Sequence, residues 1–293
     1  MSLFTGSGVA LVTPINEDGS VNYDKIQELI EFQLSNNTDA LIISGSSGEA
    51  STLTDDEQVE AIRVAVSVTK KRVPVIAGAG SNHTEHGVNL SIRAKAAGAD
   101  ALMLVTPYYN KPTQKGLIEH YAQHAKRVDL PIIIYNIAGR TGLNILPKTA
   151  KTLSEIDNIV GIKEASGNIV QIAEIAERCG ESLDIYSGND DYVVPVMSLG
   201  GKGVISASAN VIPQQMHDMT AKYLAGDITA ATKLQLGMLD IIRALFCETN
   251  PIPVKAALNI MGFNVGGHRM PLTPMEPENE AVLRGAMQRY GLI

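Results

Sequence analysis

Eight short apolar runs recur along the chain, each followed by a stretch with helical period. They span 9–12, 40–43, 73–77, 101–105, 131–135, 159–163, 183–186 and 203–206. Gly, Pro or Asp bounds them, and β-branched residues fill them, as in strands buried on both faces of a parallel sheet. The first helical stretch carries Ile26, Leu29, Ile30 and Leu34 on one face. The second opens with Thr54-Asp55-Asp56-Glu57, a capping box. Asn168 can cap a helix carrying Ile169, Ile172 and Ile175, and Gly180 can end it. Each crossover is long enough for one helix, as parallel pairing requires. Eight β-then-α units predict an α/β fold, a closed (β/α)8 TIM barrel, over an open doubly wound sheet. From Asp227 the pattern turns wholly helical, with two further helices expected near 253–261 and 278–290. The expected organisation is a barrel domain over 1–226 and a helical C-terminal extension over 227–293.

Composition excludes several classes. The 24 Lys+Arg against 31 Asp+Glu, a net charge of −7, leave no general basic face for nucleic acid and no polybasic segment for an anionic membrane. No apolar run approaches the ~20 residues of a spanning helix. Residues 1–13 lack the pattern of a secretory signal. Two cysteines, Cys179 and Cys247, cannot frame disulfides in a chain this long. A cytoplasmic location is expected.

Barrel chemistry sits at the C-terminal ends of strands. There the sequence gathers Ser46, Ser47, Tyr108, Tyr109, Tyr135, Arg140, Lys163 and Ser206. Lys163 ends an apolar run, so its stem should point inward. Burial favours the neutral amine, which opens Schiff-base chemistry with a carbonyl. The plainer reading pairs Lys163 with Glu164 or a helix dipole. Tyr135 and Tyr109 can supply phenolic protons, and Ser46 can bridge two phenols. Arg140 can hold a carboxylate bidentately. Each also has an ordinary structural reading, as an amphipathic core tyrosine or a surface ion pair. The Gly45-Ser46-Ser47-Gly48 loop suits an anionic group but lacks the Gly-Lys-Ser/Thr ending of a nucleotide loop. No dinucleotide fingerprint follows a strand, and no glycine cradle for phosphate follows strand eight. His120 and His124 have i,i+4 spacing without a third ligand, so solvated helix positions are expected rather than zinc. His83 and His86 read the same way.

Five strings, in order, resemble the 4-hydroxy-tetrahydrodipicolinate synthase (dihydrodipicolinate synthase) family: Gly45-Ser46-Ser47-Gly48-Glu49; Thr106-Pro107-Tyr108-Tyr109-Asn110; Tyr135-Asn136 with Arg140-Thr141-Gly142; Gly161-Ile162-Lys163-Glu164-Ala165-Ser166-Gly167; and Asn250-Pro251-Ile252-Pro253-Val254-Lys255. The resemblance covers essentially the whole chain. It implies a pyruvate-dependent, class I aldolase-like enzyme on a (β/α)8 barrel. Lys163 would form a Schiff base with pyruvate, whose enamine attacks L-aspartate 4-semialdehyde on the route to diaminopimelate and lysine. Tyr135 would donate and accept the proton. Ser46 and Tyr109 would complete the relay, with Tyr109 reaching across a dimer interface. Ser47 would bind the pyruvate carboxylate, Arg140 the semialdehyde carboxylate, and Gly188 and Ile205 would line the pocket. No metal or organic cofactor is implied, and a homotetramer is.

The chain departs from the family pattern in three places. Ser46 and Ser47 stand for two threonines, which loses a methyl that restricts χ1 at each. Ala138 stands for a proline, loosening the Arg140 loop. In lysine-inhibited relatives a glutamate stands in place of His86, and histidines in place of Asp55 and Gln58, whereas Asn82 and Tyr108 match. Weak or absent lysine feedback is therefore expected. N-acetylneuraminate lyase and 2-keto-3-deoxy-sugar-acid aldolases share the lysine, the tyrosine and a related loop. Arg140-Thr141-Gly142, Tyr108-Tyr109 and the Asn-Pro-Ile-Pro-Val-Lys string favour the synthase. A non-catalytic binding protein would not need Lys163, Tyr135 and Tyr109 together, and a purely structural oligomer leaves the polar rim unexplained.

Overall fold

The computed structural model describes residues 2–293. Its strands are β1 (Gly6–Ala10), β2 (Ala40–Ile43), β3 (Val75–Gly78), β4 (Ala101–Val105), β5 (Ile132–Asn136), β6 (Ile159–Glu164), β7 (Asp184–Ser187) and β8 (Gly203–Ser206). They pair in chain order, all parallel, and β8 closes on β1. The helices α1 (Tyr23–Ser35), α2 (Asp55–Thr69), α3 (Thr84–Ala96) and α4 (Gln114–Arg127) follow the first four strands. A single turn, α5 (Ala138–Thr141), precedes α6 (Pro147–Leu153). Then come α7 (Ile169–Cys179), α8 (Val193–Ser198) and α9 (Pro213–Leu224). This is the expected (β/α)8 barrel. It is followed by α10 (Ile228–Leu245), α11 (Ile252–Ile260) and α12 (Pro277–Tyr290).

Local signals set the helix ends. Thr54 Oγ1 accepts from the Glu57 amide at 3.2 Å, and Glu57 Oε2 accepts from the Thr54 amide at 2.8 Å. Asn168 Oδ1 accepts from the amides of Val170 and Gln171 at 3.1 and 3.2 Å. Gly180 ends α7 at φ +54°.

The first strand lies three residues earlier than its apolar run. Gly6, Ser7 and Gly8 belong to it, while Leu11 and Val12 leave it. A side chain on Gly8 would meet the Phe4 ring at 3.0 Å, so the strand is glycine-rich for reasons of space and a search for apolar residues passes over it. Closure has a similar demand. At Gly203, φ is +149° and a Cβ would fall 1.9 Å from the Gly6 carbonyl oxygen.

Alternate residues fill the barrel interior, among them Ala10, Ile42, Ile76, Met103, Ile133 and Ile205. Phe4 stacks on Tyr186 with ring centroids 4.4 Å apart, and the Tyr186 hydroxyl donates to the Phe4 carbonyl at 2.7 Å. That seals the lower end and leaves the C-terminal rim as the open one. The extension shares the outer core. Met216 of α9, Met238 of α10, Leu258 of α11 and Leu283 of α12 belong to one buried cluster. Asp227 caps α10, its Oδ1 accepting from the Ala230 amide at 3.0 Å. Among the described residues, no helix is long and apolar enough to cross a membrane.

His120 and His124 are not solvated. They are buried between α3 and α4 with rings 4.9 Å apart. His120 Nδ1 bonds Thr84 Oγ1 at 2.9 Å and His124 Nδ1 bonds Ser91 Oγ at 3.2 Å, while neither Nε2 has a partner among the described residues. Burial pushes His120 down to about 4. Burial, then the charges of His120 and Arg127, push His124 down to about 3. The unfolded chain therefore binds more protons than the folded one in acid, so stability is complete above pH ~6.5 and is lost as pH falls toward 4. His120 alone contributes a loss of about 3 kcal/mol by pH 4. In thermal melts from pH 7 to 4, the double variant His120→Gln, His124→Gln should show a clearly shallower fall in Tm. An unchanged slope would contradict this account.

Candidate active site

Strand alternation decides where the rim residues point. On β6, Lys163 faces inward and Glu164 outward. Glu164 Oε2 accepts from Asn136 Nδ2 at 2.8 Å, and Oε1 accepts from the Ser166 amide at 2.7 Å. It is therefore not the partner of Lys163. Lys163 pairs in register with Tyr135 on β5, and its Nζ lies 4.4 Å from the centre of that ring. Lys163 is 6% exposed and Tyr135 4%.

Burial depresses the Lys163 amine to about 8. Asp190 opposes the shift and Arg140 adds to it. At pH 7 about one amine in ten is then neutral, against a few in ten thousand for free lysine. Burial lifts the Tyr135 phenol to about 12, with Arg140 and a hydrogen bond from Ser46 drawing it back and Asp190 raising it. The phenol is thus kept protonated beside an amine that readily loses its proton.

Above them opens a cavity of about 420 Å³ lined by Ser46, Met103, Tyr135 and Arg140, and on the extension side by Pro251 and Leu272. Ser46 lies on the β2–α2 loop. Ser47 is buried one layer back, and its Oγ accepts from Asn250 Nδ2 at 2.9 Å. Arg140, on α5, donates from Nη2 to the Asn250 carbonyl at 2.9 Å. Gly188 donates its amide to the Glu164 carbonyl at 2.8 Å, and a Cβ there would lie 2.6 Å from that of Ala165. Ile205 is in the interior layer. Tyr135, Ser46 and Arg140 therefore line one cavity, Lys163 lies against the Tyr135 ring, Ser47 packs behind through Asn250, and Gly188 and Ile205 are not among the residues that line the cavity. Tyr109 stands apart. It has φ +70°, is 91% exposed, and lies outside the cavity that its neighbour Tyr108 lines.

The outer end of the cavity is lined by Asp55, Gln58, Ser81 and His86. His86 Nε2 contacts both Asp55 carboxylate oxygens at 3.0 and 3.1 Å, and its Nδ1 contacts Ser81 Oγ at 3.0 Å. Arg93 also approaches Asp55, at 3.8 Å.

Two groups near the site had no role assigned from sequence. Asp190 sits on the turn after β7, buried, with Oδ2 accepting from the Ser208 amide at 2.8 Å. Lys255 of α11 is fully buried against Glu49 of the β2–α2 loop at 2.8 Å. Asp190 follows the seventh apolar run and Lys255 is the one charge in the apolar α11, but their partners lie far off in sequence.

A closed barrel that buries an amine beside a phenol at its C-terminal rim is a lysine-centred (β/α)8 enzyme. A model described as the dihydrodipicolinate synthetase family matches residues 3–289, and the chain belongs to that family. It is 58% identical over 294 residues to the 4-hydroxy-tetrahydrodipicolinate synthase of Lachnoclostridium phytofermentans, covering 100% of both chains. It is 56% identical to that of Thermoanaerobacter pseudethanolicus, covering 100% of this chain and 99% of the other. The dihydrodipicolinate synthase structure from Aquifex aeolicus superposes with a TM-score of 0.96 at 46% identity over 99% of both chains.

Proposed function

We propose that this enzyme condenses pyruvate with L-aspartate 4-semialdehyde to give 4-hydroxy-tetrahydrodipicolinate, through an imine on Lys163. The observation that carries this is the inward Lys163 in register with Tyr135, its amine depressed to about 8 by burial. The neutral amine attacks the ketone carbon of pyruvate, and Tyr135 delivers the proton that lets the carbinolamine oxygen leave as water. Loss of a methyl proton gives an enamine, whose carbon attacks the aldehyde. The amino group of the second substrate then displaces Lys163 and closes the ring. Ser46 relays protons with Tyr135. Tyr109, exposed on its own chain, serves the site of a second copy. Ser47 and its neighbouring amides take the pyruvate carboxylate, Arg140 takes that of the semialdehyde, and Gly188 and Ile205 bound the pocket. The reaction needs no metal or organic cofactor. The names of the close relatives support this acceptor over a sugar aldehyde. A homotetramer acting in the cytoplasm fits the reading.

The test is borohydride reduction with pyruvate, read by intact mass and peptide mapping, followed by turnover with the semialdehyde. A pyruvate-sized adduct on Lys163 together with turnover supports the proposal. An adduct without turnover moves the acceptor to another aldehyde, and no adduct removes the lysine chemistry.

L-Lysine should inhibit weakly or not at all. Its α-ammonium would need a free carboxylate, and the one at the outer end of the cavity, Asp55, is already engaged by His86. Assays with added lysine check this, and half-inhibition below about 1 mM would contradict it.

A further inference from the structure

The proposed chemistry puts a cation where water does not reach. The imine on Lys163 activates the carbon only while it is protonated, whereas the free amine attacks only when neutral, and a buried cation is costly unless an anion faces it. Three carboxylates are buried among the described residues: Glu49, Glu164 and Asp190. Glu49 is neutralised by Lys255 at 2.8 Å. Glu164 points out of the barrel and is satisfied by Asn136, Ser166 and Gln171. Only Asp190 remains. It follows β7, the strand paired with β6, in which Lys163 sits opposite Tyr186.

Asp190 is also held in place. Its Oδ2 accepts from the Ser208 amide at 2.8 Å. Its backbone carbonyl accepts from Gln235 Nε2 at 2.9 Å, and Gln235 Oε1 accepts from the Val194 amide at 3.2 Å. Its Oδ1 is buried and has no hydrogen-bond partner among the described residues. A fixed, buried carboxylate with one oxygen making no hydrogen bond, on the turn after the strand paired with that of a lysine that carries the reaction's cation, has an evident task.

We propose that Asp190 is a positioning residue for this reaction, acting through Lys163 as the fixed counter-anion of the iminium. The inference rests on the imine reading above. From the ammonium form the step balances as R–NH3+ plus ketone giving the iminium plus water. The carbon–nitrogen double bond forms, the carbon–oxygen bond breaks, and one positive charge stays on nitrogen throughout. Asp190 therefore faces the same charge before and after. Three groups act on the Lys163 charge: the Tyr135 ring from β5, Arg140 from α5 and Asp190 from beyond β7. Asp190 is the anion among them and opposes the depression of the amine. Burial raises Asp190 itself, and Ser208, Ser206 and Lys163 draw it back.

The test is Asp190→Asn in the full enzyme, close to isosteric and neutral. Three quantities are read: the acid limb of kcat/KM for pyruvate, the fraction trapped by borohydride at fixed pyruvate, and Tm. The acid limb should move to lower pH by about one unit, because the free amine loses its anion. The trapped fraction should fall about tenfold above pH ~9, where the free amine is neutral and only the iminium loses its anion, and change little well below pH 8, where ammonium and iminium lose it alike. A purely structural role would lower Tm and leave the acid limb in place. If Asp190→Asn does not fold, Asp190→Ser gives the same readings. An unmoved or upward-moving acid limb with trapping unchanged overturns the proposal. Failure of the wild-type enzyme to trap pyruvate would instead overturn the imine reading itself.

Discussion

Lys163→Met yields a folded barrel that forms no adduct with pyruvate and borohydride and turns over about 10³-fold or more slowly than the wild type. The methionine stem follows the path of the buried lysine stem and leaves no cavity behind it. Removing a buried amine also removes its desolvation cost, which offsets the loss of the charge facing Asp190. Tm should therefore change little while activity collapses. Lys163→Arg separates charge from chemistry. It keeps a cation near Asp190, but a guanidinium does not deprotonate at working pH and cannot form the imine. Both variants should be equally inactive although only one is cationic. Mass spectrometry after reduction and steady-state rates decide the matter. Retention of more than a tenth of wild-type activity by Lys163→Met would show that another group bears the carbonyl.

The sequence made the barrel legible because eight strands buried on two faces each leave an unbroken apolar run. It misplaced β1, where Gly8 makes room for the Phe4 ring and Gly6 for the Asp39 carboxylate, 2.2 Å from where its Cβ would lie. The lysine was legible because it ends such a run; the plainer reading, a pair with Glu164, fails because strand alternation turns Glu164 outward to Asn136 and Ser166. The environment that makes the amine nucleophilic was not. The register of Tyr135 with Lys163, and the placing of Asp190, depend on strand pairing and on helices from the other end of the chain. The histidines of α4 teach the opposite lesson. Leu117, His120, Tyr121 and His124 form its buried face, at the i, i+3, i+4, i+7 spacing that defines one. Residue type suggested water where position already said core. Tyr109 differs again, since its side chain is 91% exposed and stands outside its own chain's cavity.

Lys255 and Glu49 should show opposite pH signatures once separated. Lys255 is fully buried, and its Nζ donates to Glu49 at 2.8 Å, to the Thr13 carbonyl at 3.0 Å and to the Gly267 carbonyl. Glu49 also accepts from the Arg269 amide at 3.2 Å, and it holds a left-handed φ of +55° at the end of the loop carrying Ser46 and Ser47. The pair thus ties α11 to the β2–α2 loop from behind, while Asn250 ties Ser47 from the side. Breaking a buried pair from one side costs about 3–5 kcal/mol, because the survivor is left charged in the interior. The survivor can relieve this only by becoming neutral, and the two do so in opposite directions. In Lys255→Met the lone carboxylate favours its protonated form, so the folded state binds more protons than the unfolded one and the variant regains stability as pH falls below neutral. In Glu49→Gln the lone lysine favours its neutral form. Burial already lowers it in the intact pair, so this variant regains stability as pH rises toward 10. Chemical denaturation from pH 5.5 to 9.5, each variant compared with wild type at the same pH, should give difference curves of opposite slope, and the double variant a flat one. Parallel curves would mean that Lys255 is held by the Thr13 and Gly267 carbonyls and that the Glu49 charge contributes little. Since the same break frees the loop beneath Ser46 and Ser47, KM for pyruvate should rise in both single variants at pH values where they remain fully folded.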